Sequence, residues 1–246
     1  EGGNLPAAIK ATAQWFPKKE RAFATSIFNS GANVGAILAP AVVPAIALHL
    51  GWHWAFIFAG IAGMIWLLFW WPYFDYPERS KRVSADELAY IESDSSDTSA
   101  ETGKVPWKAL LRHRQAWSFI AAKFLTDPVW WFLLIWLPDF FKKTRHLDIK
   151  SSWTLLVSIY AIITVLSIIG GWVPGFLATR GWSVTRARKT AMFVFALAVL
   201  PMAIVTQVGD WTAVILIGLA GAAHQAWSAN LYTTVSDMFP KHVVAS

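Results

Sequence analysis

The sequence has no cysteine and few charged residues. None of the 246 residues is Cys, which excludes a disulfide-stabilised scaffold, a thiolate metal site and a cysteine nucleophile. Charged side chains make up 15% of the chain and hydrophobic ones 56%, whereas soluble domains average about 25% charged and about 45 to 50% apolar residues. The chain also contains 16 Trp. This composition indicates an all-α integral membrane protein.

Seven apolar runs are long enough, or nearly so, to cross a bilayer as helices. They cover residues 1–15, 22–48, 54–71, 116–141, 152–177, 190–207 and 212–238. Because the positive-inside rule puts basic loops in the cytoplasm, it assigns to that side the loops 16–21, 72–115, 178–189 and 239–246. Four basic residues after the fourth run go against this assignment, namely Lys142, Lys143, Arg145 and Lys150. The net charge of +6 therefore reflects membrane topology, and no nucleic-acid partner is predicted.

The chain begins without Met, inside an apolar run of about 16 residues, where a spanning helix needs about 20. We therefore expect it to be a fragment. No signal peptide is visible, and in a fragment that absence says nothing.

The one long polar segment, 77–115, is predicted to link two groups of helices. Its sequence Ser84-Ala85-Asp86-Glu87 is a capping box that predicts a short surface helix through Ile91. The acidic run 92–101 has no apolar side chain larger than Ala, so we expect it to be a disordered tether. The predicted organisation is therefore three helices in 1–76, the linker, and four helices in 116–246.

The turn Phe-Pro-Lys occurs at 16–18 and again at 239–241. Superposing the two turns places Glu1 opposite His224. At about 1.5 Å per residue, both groups lie about 20 Å from the turn, inside a hydrocarbon core about 30 Å thick. A titratable group at that depth is costly, so it suggests a proton relay or a counter-charge for a substrate. The alternative is that Glu1 only pairs with a basic group on a neighbouring helix.

The fourth run places Lys123, Asp127 and Trp130 on one helical face. An ammonium that meets a carboxylate, next to an indole that stacks on a sugar, suits an anionic ligand with hydroxyl groups. Alternatively the Lys123–Asp127 pair is a structural lock, and Asp127 before Pro128 caps a broken half-helix.

Two amides of the second run, Asn29 and Asn33, lie one turn apart and opposite a stripe that contains Gly31 and Gly35. We interpret the glycines as a packing surface for another helix and the amides as the lining of a polar cavity. The alternative is that the amides form only interhelical hydrogen bonds.

The seventh run is unusually polar for membrane depth. Five polar or amphipathic side chains within seven residues are hard to explain as core packing; they are His224, Gln225, Trp227, Ser228 and Asn230. His224, Trp227 and Ser228 are predicted to share a face, with Gln225 to one side and Asn230 to the other.

Several segments together resemble the major facilitator superfamily: EGGNLP at 1–6, WFPKKERA at 15–22, FNSG at 28–31, GWHWAF at 51–56 and HQAWSAN at 224–230. Within the superfamily they are similar to the anion:cation symporters of the bacterial hexuronate branch. The resemblance covers the whole chain. It implies twelve helices in two six-helix bundles, which rock against each other so that a central site opens to each side of the membrane in turn. This chain would hold helices four to ten.

The same resemblance implies roles for individual residues. Glu1 matches a fourth-helix carboxylate implicated in proton coupling and substrate binding. The tenth-helix positions implicated in sugar-acid binding match Gln225, Trp227, Ser228 and Asn230. The segment 175–189 is similar to the cytoplasmic signature loop, with Thr179 where the pattern often has Asp, and it implies a gating loop that contains Arg180, Arg186 and Arg188.

These observations predict a proton-coupled symporter for a sugar acid anion such as a hexuronate, in a bacterial inner membrane. We expect it to be monomeric and to use the proton as coupling ion, with no cofactor or metal. Glu1 would exchange the proton, and Lys123 and His224 would bind the substrate carboxylate. The residues predicted to bind hydroxyls or stack on the sugar are Asn29, Asn33, Gln225, Ser228, Asn230, Trp130 and Trp227.

Three other functions are weighed against this one. A symporter of another organic anion, or a non-transporting membrane sensor, would have the same fold. A membrane-embedded enzyme would need several acidic or His groups at one interface, whereas here such groups are scattered over three helices.

Overall fold

The computed structural model describes residues 4–93, 111–145 and 149–238, which form helices and no strand. We number the α-helices of these ranges in chain order: α1 Asn4–Trp15, α2 Arg21–Leu50, α3 Trp52–Tyr73, α4 Ala85–Glu92, α5 Arg114–Arg145, α6 Ile149–Thr179, α7 Val184–Ala198 and α8 Asp210–Met238. Two 3₁₀ helices cover Pro77–Arg79 and Leu200–Gln207. The prediction of an all-α protein is confirmed.

Five segments of the described chain are long and apolar enough to cross a membrane. They are Trp52–Tyr73, Arg114–Leu137, Thr154–Thr179, Val184–Gln207 and Asp210–Asp237. The described part of each of the seven predicted runs lies in a helical segment. The sixth run is not one regular helix, because the α-helix ends at Ala198 and continues as a 3₁₀ helix. Pro201 lacks the N–H that an uninterrupted α-helix needs at that point.

Helix α3 has no buried side chain. Phe56 is 72% exposed and Leu68 is 73% exposed. A helix that is apolar around its whole circumference is stable only in apolar surroundings, so α3 is a membrane span rather than a helix of a soluble protein.

Helix α6 is the centre of the described assembly and packs most extensively on α8 and α2. A Cβ atom added at Gly218 of α8 would lie 2.7 Å from Ile162, and one added at Gly221 would lie 2.6 Å from Ile163. Both isoleucines belong to α6. Small residues at such contacts let two membrane helices approach closely, and dispersion then holds them together.

The contact between α2 and α6 also depends on glycines, and these glycines belong to α6. A Cβ atom at Gly171 would lie 2.7 Å from the Ala22 carbonyl oxygen, and one at Gly175 would lie 2.8 Å from the Lys19 carbonyl oxygen. Added Cβ atoms at Gly31 and Gly35, by contrast, would meet nothing within 4 Å. Within the described residues no helix packs closely on Gly31 and Gly35, so the glycine stripe of α2 stays a prediction.

The predicted capping box is confirmed. The Ser84 hydroxyl accepts a hydrogen bond of 3.2 Å from the backbone N–H of Glu87, at the start of the helix Ala85–Glu92. Most of the predicted acidic tether belongs to residues 94–110, which lie outside the described residues.

The surface helix α4 is attached to the turn between α1 and α2. The Tyr90 hydroxyl donates a hydrogen bond to the Glu20 carboxylate. The Lys19 ammonium lies 4.6 Å from the centroid of the Tyr90 ring. The tyrosine therefore joins the start of the predicted linker to the first basic loop.

At the opposite end of the helices, some of the basic residues that disagreed with the positive-inside rule are paired. Arg145 donates a hydrogen bond of 2.8 Å to the Val205 carbonyl and lies 3.5 Å from the Asp210 carboxylate. Lys143 lies 2.7 Å from Asp139, one turn earlier on α5.

Candidate functional site

The middle of α5 faces the middle of α8 through polar side chains. Lys123 forms an ion pair with Asp127 on its own helix. It also donates a hydrogen bond of 3.1 Å to the Ser228 hydroxyl of α8. Its ammonium lies 4.6 Å from the centroid of the Tyr232 ring, also on α8. The predicted pair therefore exists, and it lies where two helices meet.

This contact is at membrane depth. Lys123 and Asp127 lie on either side of the midpoint of the span Arg114–Leu137, and His224 lies at the midpoint of the span Asp210–Asp237. Substrate sites of transporters built from helical repeats lie near the bilayer midplane.

The two partners of the ion pair differ in exposure. The side chain of Lys123 is 22% exposed and that of Asp127 is 44% exposed. Ser228, which holds the ammonium from the other helix, is buried. The lysine is therefore fixed by α8, whereas the carboxylate lies on the open side of the pair.

His224 extends this group of polar side chains by one turn. Its Nε2 donates a hydrogen bond of 2.9 Å to the Thr126 carbonyl. Its ring stacks on Trp130, with 5.9 Å between centroids and 8° between planes. Its Nδ1 is buried and has no hydrogen-bond partner. In the neutral ring this nitrogen is an acceptor, so it can bind a ligand hydroxyl or a proton.

Six residues thus form one continuous group, which we call the mid-membrane cluster: Lys123, Asp127, Trp130, His224, Ser228 and Tyr232. The group offers an ammonium, a hydroxyl, an imidazole acceptor and aromatic rings. Tyr232 was missed in the sequence, although it lies one turn after Ser228 and two turns after His224.

A cavity of about 470 Å³ adjoins His224 and is lined by residues of α5, α7 and α8 and of the 3₁₀ helix after α7. Its lining is almost wholly apolar and includes Phe195, Met202 and Trp227. Trp227 lines this cavity together with His224, with which it was predicted to share a face. Because a sugar needs hydrogen-bond partners, this cavity does not suit a sugar acid.

The four predicted amide ligands differ in burial and in hydrogen bonding. Asn33 of α2 is 1% exposed, and neither polar atom of its amide has a partner. Asn230 donates a hydrogen bond of 2.8 Å to the Ala226 carbonyl of its own helix, and its amide oxygen has no partner. Asn29 and Gln225 are partly exposed. Asn33 does not form the interhelical hydrogen bonds that were the alternative to a polar cavity.

A second charged group lies at the end of the helices where α1 meets α2. Arg21 donates a hydrogen bond of 2.9 Å to Asp237 and one of 3.2 Å to the Ser236 carbonyl. It also donates to the carbonyls of Ala13 and Phe16, at 3.1 Å and 3.0 Å. This single side chain therefore joins α1, α2 and α8.

Arg188 binds the same carboxylate from the other side. It forms an ion pair with the second oxygen of Asp237 and donates a hydrogen bond of 2.7 Å to the Lys18 carbonyl. Arg21 and Arg188 are each 4% exposed. We call Arg21, Arg188 and Asp237 the arginine cluster. It connects residues before the linker with residues after it.

Of the three arginines predicted in the gating loop, only Arg188 belongs to this cluster. The guanidinium of Arg180 lies over the Phe176 ring, at 4.5 Å, and that of Arg186 lies over the Trp182 ring, at 4.6 Å. Both rings are close neighbours in sequence. Asp237, which was missed in the sequence, supplies the carboxylate to which Arg188 binds.

Glu1, the predicted proton-coupling residue, lies outside the described residues. Its position opposite His224 stays a prediction. So does the sidedness of the loop 239–246, which also lies outside them.

A comparison with known protein families decides the fold. The family model of the Major Facilitator Superfamily matches residues 1–246. The chain belongs to this superfamily. The predicted fold class and family are therefore confirmed.

Known relatives agree with this assignment. The chain is 31% identical to the hexuronate transporter of Escherichia coli K12 across all of its length and 58% of that relative. It is 30% identical to the galacturonate transporter of Dickeya chrysanthemi, over 71% of this chain and 51% of that one. It is 31% identical to a probable sulfoacetate transporter of Cupriavidus necator, over 98% of this chain and 57% of the relative.

The chain thus spans a little over half the length of the relatives it matches. These relatives are named as transporters and not as enzymes, in agreement with the prediction. Together with the five apolar spans, they identify a multi-pass membrane protein of a transporter superfamily.

Proposed function

We propose that this protein is a proton-coupled symporter of a sugar acid anion such as a hexuronate. The observation that carries the proposal is the mid-membrane cluster, in which Lys123 contacts both Ser228 and the Tyr232 ring near the middle of two spans. A lysine at that depth is costly to maintain and is therefore a functional candidate. Relatives named as hexuronate and galacturonate transporters support the choice of substrate.

The chemistry of the cluster matches the parts of a sugar acid. The Lys123 ammonium binds the carboxylate of the substrate, because hydrogen bonds between charged groups are the strongest available. The free Nδ1 of His224 and the Ser228 hydroxyl bind sugar hydroxyls. The face of Trp130 that is not covered by His224 stacks on the sugar ring.

Transport requires that the site open to each side in turn, and the arginine cluster is the gate in this proposal. Arg21 before the linker and Arg188 after it share the carboxylate of Asp237. The positive-inside rule assigns this end to the cytoplasm. The structure in hand would then be a state closed on the cytoplasmic side, in which the close α2–α6 contact at Gly171 and Gly175 completes the closure.

The proton is exchanged by Glu1 in this proposal. The basis is its predicted depth in the first helix and its match to the fourth-helix carboxylate of the resembled family. An ionised carboxylate is costly in hydrocarbon, so a carboxyl group at that depth is a candidate for binding and releasing a proton during transport.

Counterflow in proteoliposomes tests the transport proposal. Vesicles that contain the complete gene product are loaded with unlabelled glucuronate, and uptake of labelled glucuronate from outside is measured. Transient accumulation supports a transporter. Binding without counterflow would instead identify a sensor.

Coupling needs a separate measurement. An inward proton gradient should drive accumulation of glucuronate, and a protonophore should abolish it. Glu1→Gln should keep counterflow and should accumulate less glucuronate under the gradient than the unmodified protein. Undiminished accumulation by this variant would remove Glu1 from the mechanism.

A second candidate substrate is a smaller organic anion. The relative named as a probable sulfoacetate transporter matches almost the whole chain. Unlabelled sulfoacetate should then inhibit counterflow of the labelled substrate more strongly than glucuronate does. The opposite order favours the sugar acid.

A further inference from the structure

The ion pair within α5 has a feature that a structural lock lacks. Its carboxylate, Asp127, is 44% exposed and has Lys123 as its ionic partner. Two residues shape the other side of the ammonium, because Ser228 accepts its hydrogen bond and the Tyr232 ring lies 4.6 Å from it. Removal of Asp127 from the pair would therefore leave the lysine in place.

An incoming carboxylate requires the same position. Lysine has three N–H donors, and in this structure one donates to Ser228 and another faces Asp127. The Tyr232 ring covers a further side of the ammonium. The most accessible position next to the ammonium is the one that Asp127 occupies. A substrate anion and Asp127 therefore compete for one site.

We infer that Asp127 is a displaceable stand-in for the substrate carboxylate, and that its release from Lys123 couples substrate binding to the uptake of a proton. This inference rests on the proposed function and extends it to a second proton-binding residue. The binding step is electroneutral: one substrate carboxylate and one proton enter, Lys123 exchanges Asp127 for the substrate, and Asp127 becomes a neutral acid.

Repulsion between like charges supplies the coupling. Two carboxylates next to a single ammonium cannot both stay ionised without a large cost, so one of them takes up a proton. The other titratable groups that face the pair are His224 and Tyr232 of α8. The other helix packed against α5, α6, carries only Lys150 and Tyr160 as titratable residues, and Tyr160 lies in the apolar core. Asp127 is therefore the acid nearest to the bound anion among the described residues.

The test measures protons taken up when D-glucuronate binds to the complete gene product in weakly buffered detergent solution. In Glu1→Gln, which lacks the other proposed acid, we expect about one proton per glucuronate to remain. In Asp127→Asn, proton uptake should fall by about one relative to the unmodified protein. Glucuronate should also bind Asp127→Asn about tenfold more tightly at pH 8, because no internal carboxylate competes for Lys123.

A matched control lies on the same helix. Asp139 pairs with Lys143 at the same spacing and is also partly exposed. Asp139→Asn should change neither the proton count nor the affinity for glucuronate.

The outcomes are distinguishable. Weaker glucuronate binding by Asp127→Asn, or an unchanged proton count, would overturn the role of Asp127 while the proposed function stands. If Asp127→Asn does not fold, the Glu1→Gln measurement decides alone, since the loss of all proton uptake in that variant also overturns the inference. Failure of the unmodified protein to bind glucuronate contradicts the proposed function itself.

Discussion

The arginine cluster and the mid-membrane cluster both contain a carboxylate paired with a basic side chain, but in different surroundings. In the arginine cluster both oxygens of Asp237 are bound by arginines that are 4% exposed, and the remaining donors mostly bind backbone carbonyls. In the mid-membrane cluster Asp127 has one ionic partner and is 44% exposed. Both oxygens of Asp237 are therefore bound by the protein, whereas Asp127 still has room for a ligand.

The difference indicates how a polar group in a membrane protein can be interpreted. A buried ion pair that joins distant parts of the chain stabilises one arrangement of the helices. Removing one of its members leaves the other charge buried without a partner. A pair within one helix contributes little to tertiary structure, so its cost at membrane depth points to a ligand.

The largest effect is expected for Asp237→Asn, which leaves Arg21 and Arg188 without their shared carboxylate. Removal of one partner of a buried ion pair costs about 3 to 5 kcal/mol. The apparent melting temperature in detergent should therefore fall by about 10 °C. Thermal unfolding followed by circular dichroism measures it. A shift no larger than that of Asp139→Asn would contradict the contrast between the two clusters.

Lys123→Gln should affect binding more than stability. The substrate carboxylate loses a charged hydrogen-bond donor, and the dissociation constant for glucuronate should rise by about 10- to 100-fold. Quenching of tryptophan fluorescence by glucuronate measures it, since Trp130 lies in the same cluster. Lys143→Gln removes the matched cation of α5 and should leave the constant unchanged. Equal effects of the two variants would exclude Lys123 as the specific ligand.

Gly171→Ala should weaken the closed arrangement next to the arginine cluster. Its Cβ atom would approach the Ala22 carbonyl oxygen to 2.7 Å, and overpacking of this kind costs about 1 to 3 kcal/mol. The melting temperature should fall by a few degrees. Gly31→Ala is the control, because its Cβ atom meets no described atom within 4 Å. Equal melting temperatures for both variants would show that the α2–α6 contact adjusts without cost.

The smallest effect is expected for Ser228→Ala. The variant removes the hydrogen bond of 3.1 Å that holds Lys123, and a single hydrogen bond contributes about 0.5 to 1.5 kcal/mol. Glucuronate affinity should fall about threefold while stability is nearly unchanged. Ser158→Ala removes a hydroxyl that binds only its own helix and serves as the control. An unchanged affinity in Ser228→Ala would show that the Ser228 hydroxyl does not help Lys123 to bind glucuronate.

Much of the fold and part of the site could be predicted from sequence. Runs of apolar residues fix the helices because hydrocarbon leaves the backbone no other way to satisfy its hydrogen bonds. The spacing of Lys123, Asp127 and Trp130 gave their common face correctly, since residues three and four apart are neighbours on one helix. The capping box at Ser84 was likewise local and correct.

Contacts between helices were predicted less well. The predicted glycine stripe of α2 meets no helix of the described residues, whereas glycines of α6, which were not predicted to pack, contact α2 and the turn before it. A helical repeat says which residues share a face, and it does not say which neighbour that face meets.

The sequence by itself determined that this chain is a bundle of membrane helices with charged residues at depth, because composition and periodicity are local properties. Only the tertiary structure decided which of those charges are satisfied. Asp237 and Arg21 are separated by 216 positions in sequence, and no local pattern specifies a contact over that distance. The packing of α6 against α2 and α8 brings them together, and the packing of α5 against α8 places Tyr232 beside Lys123.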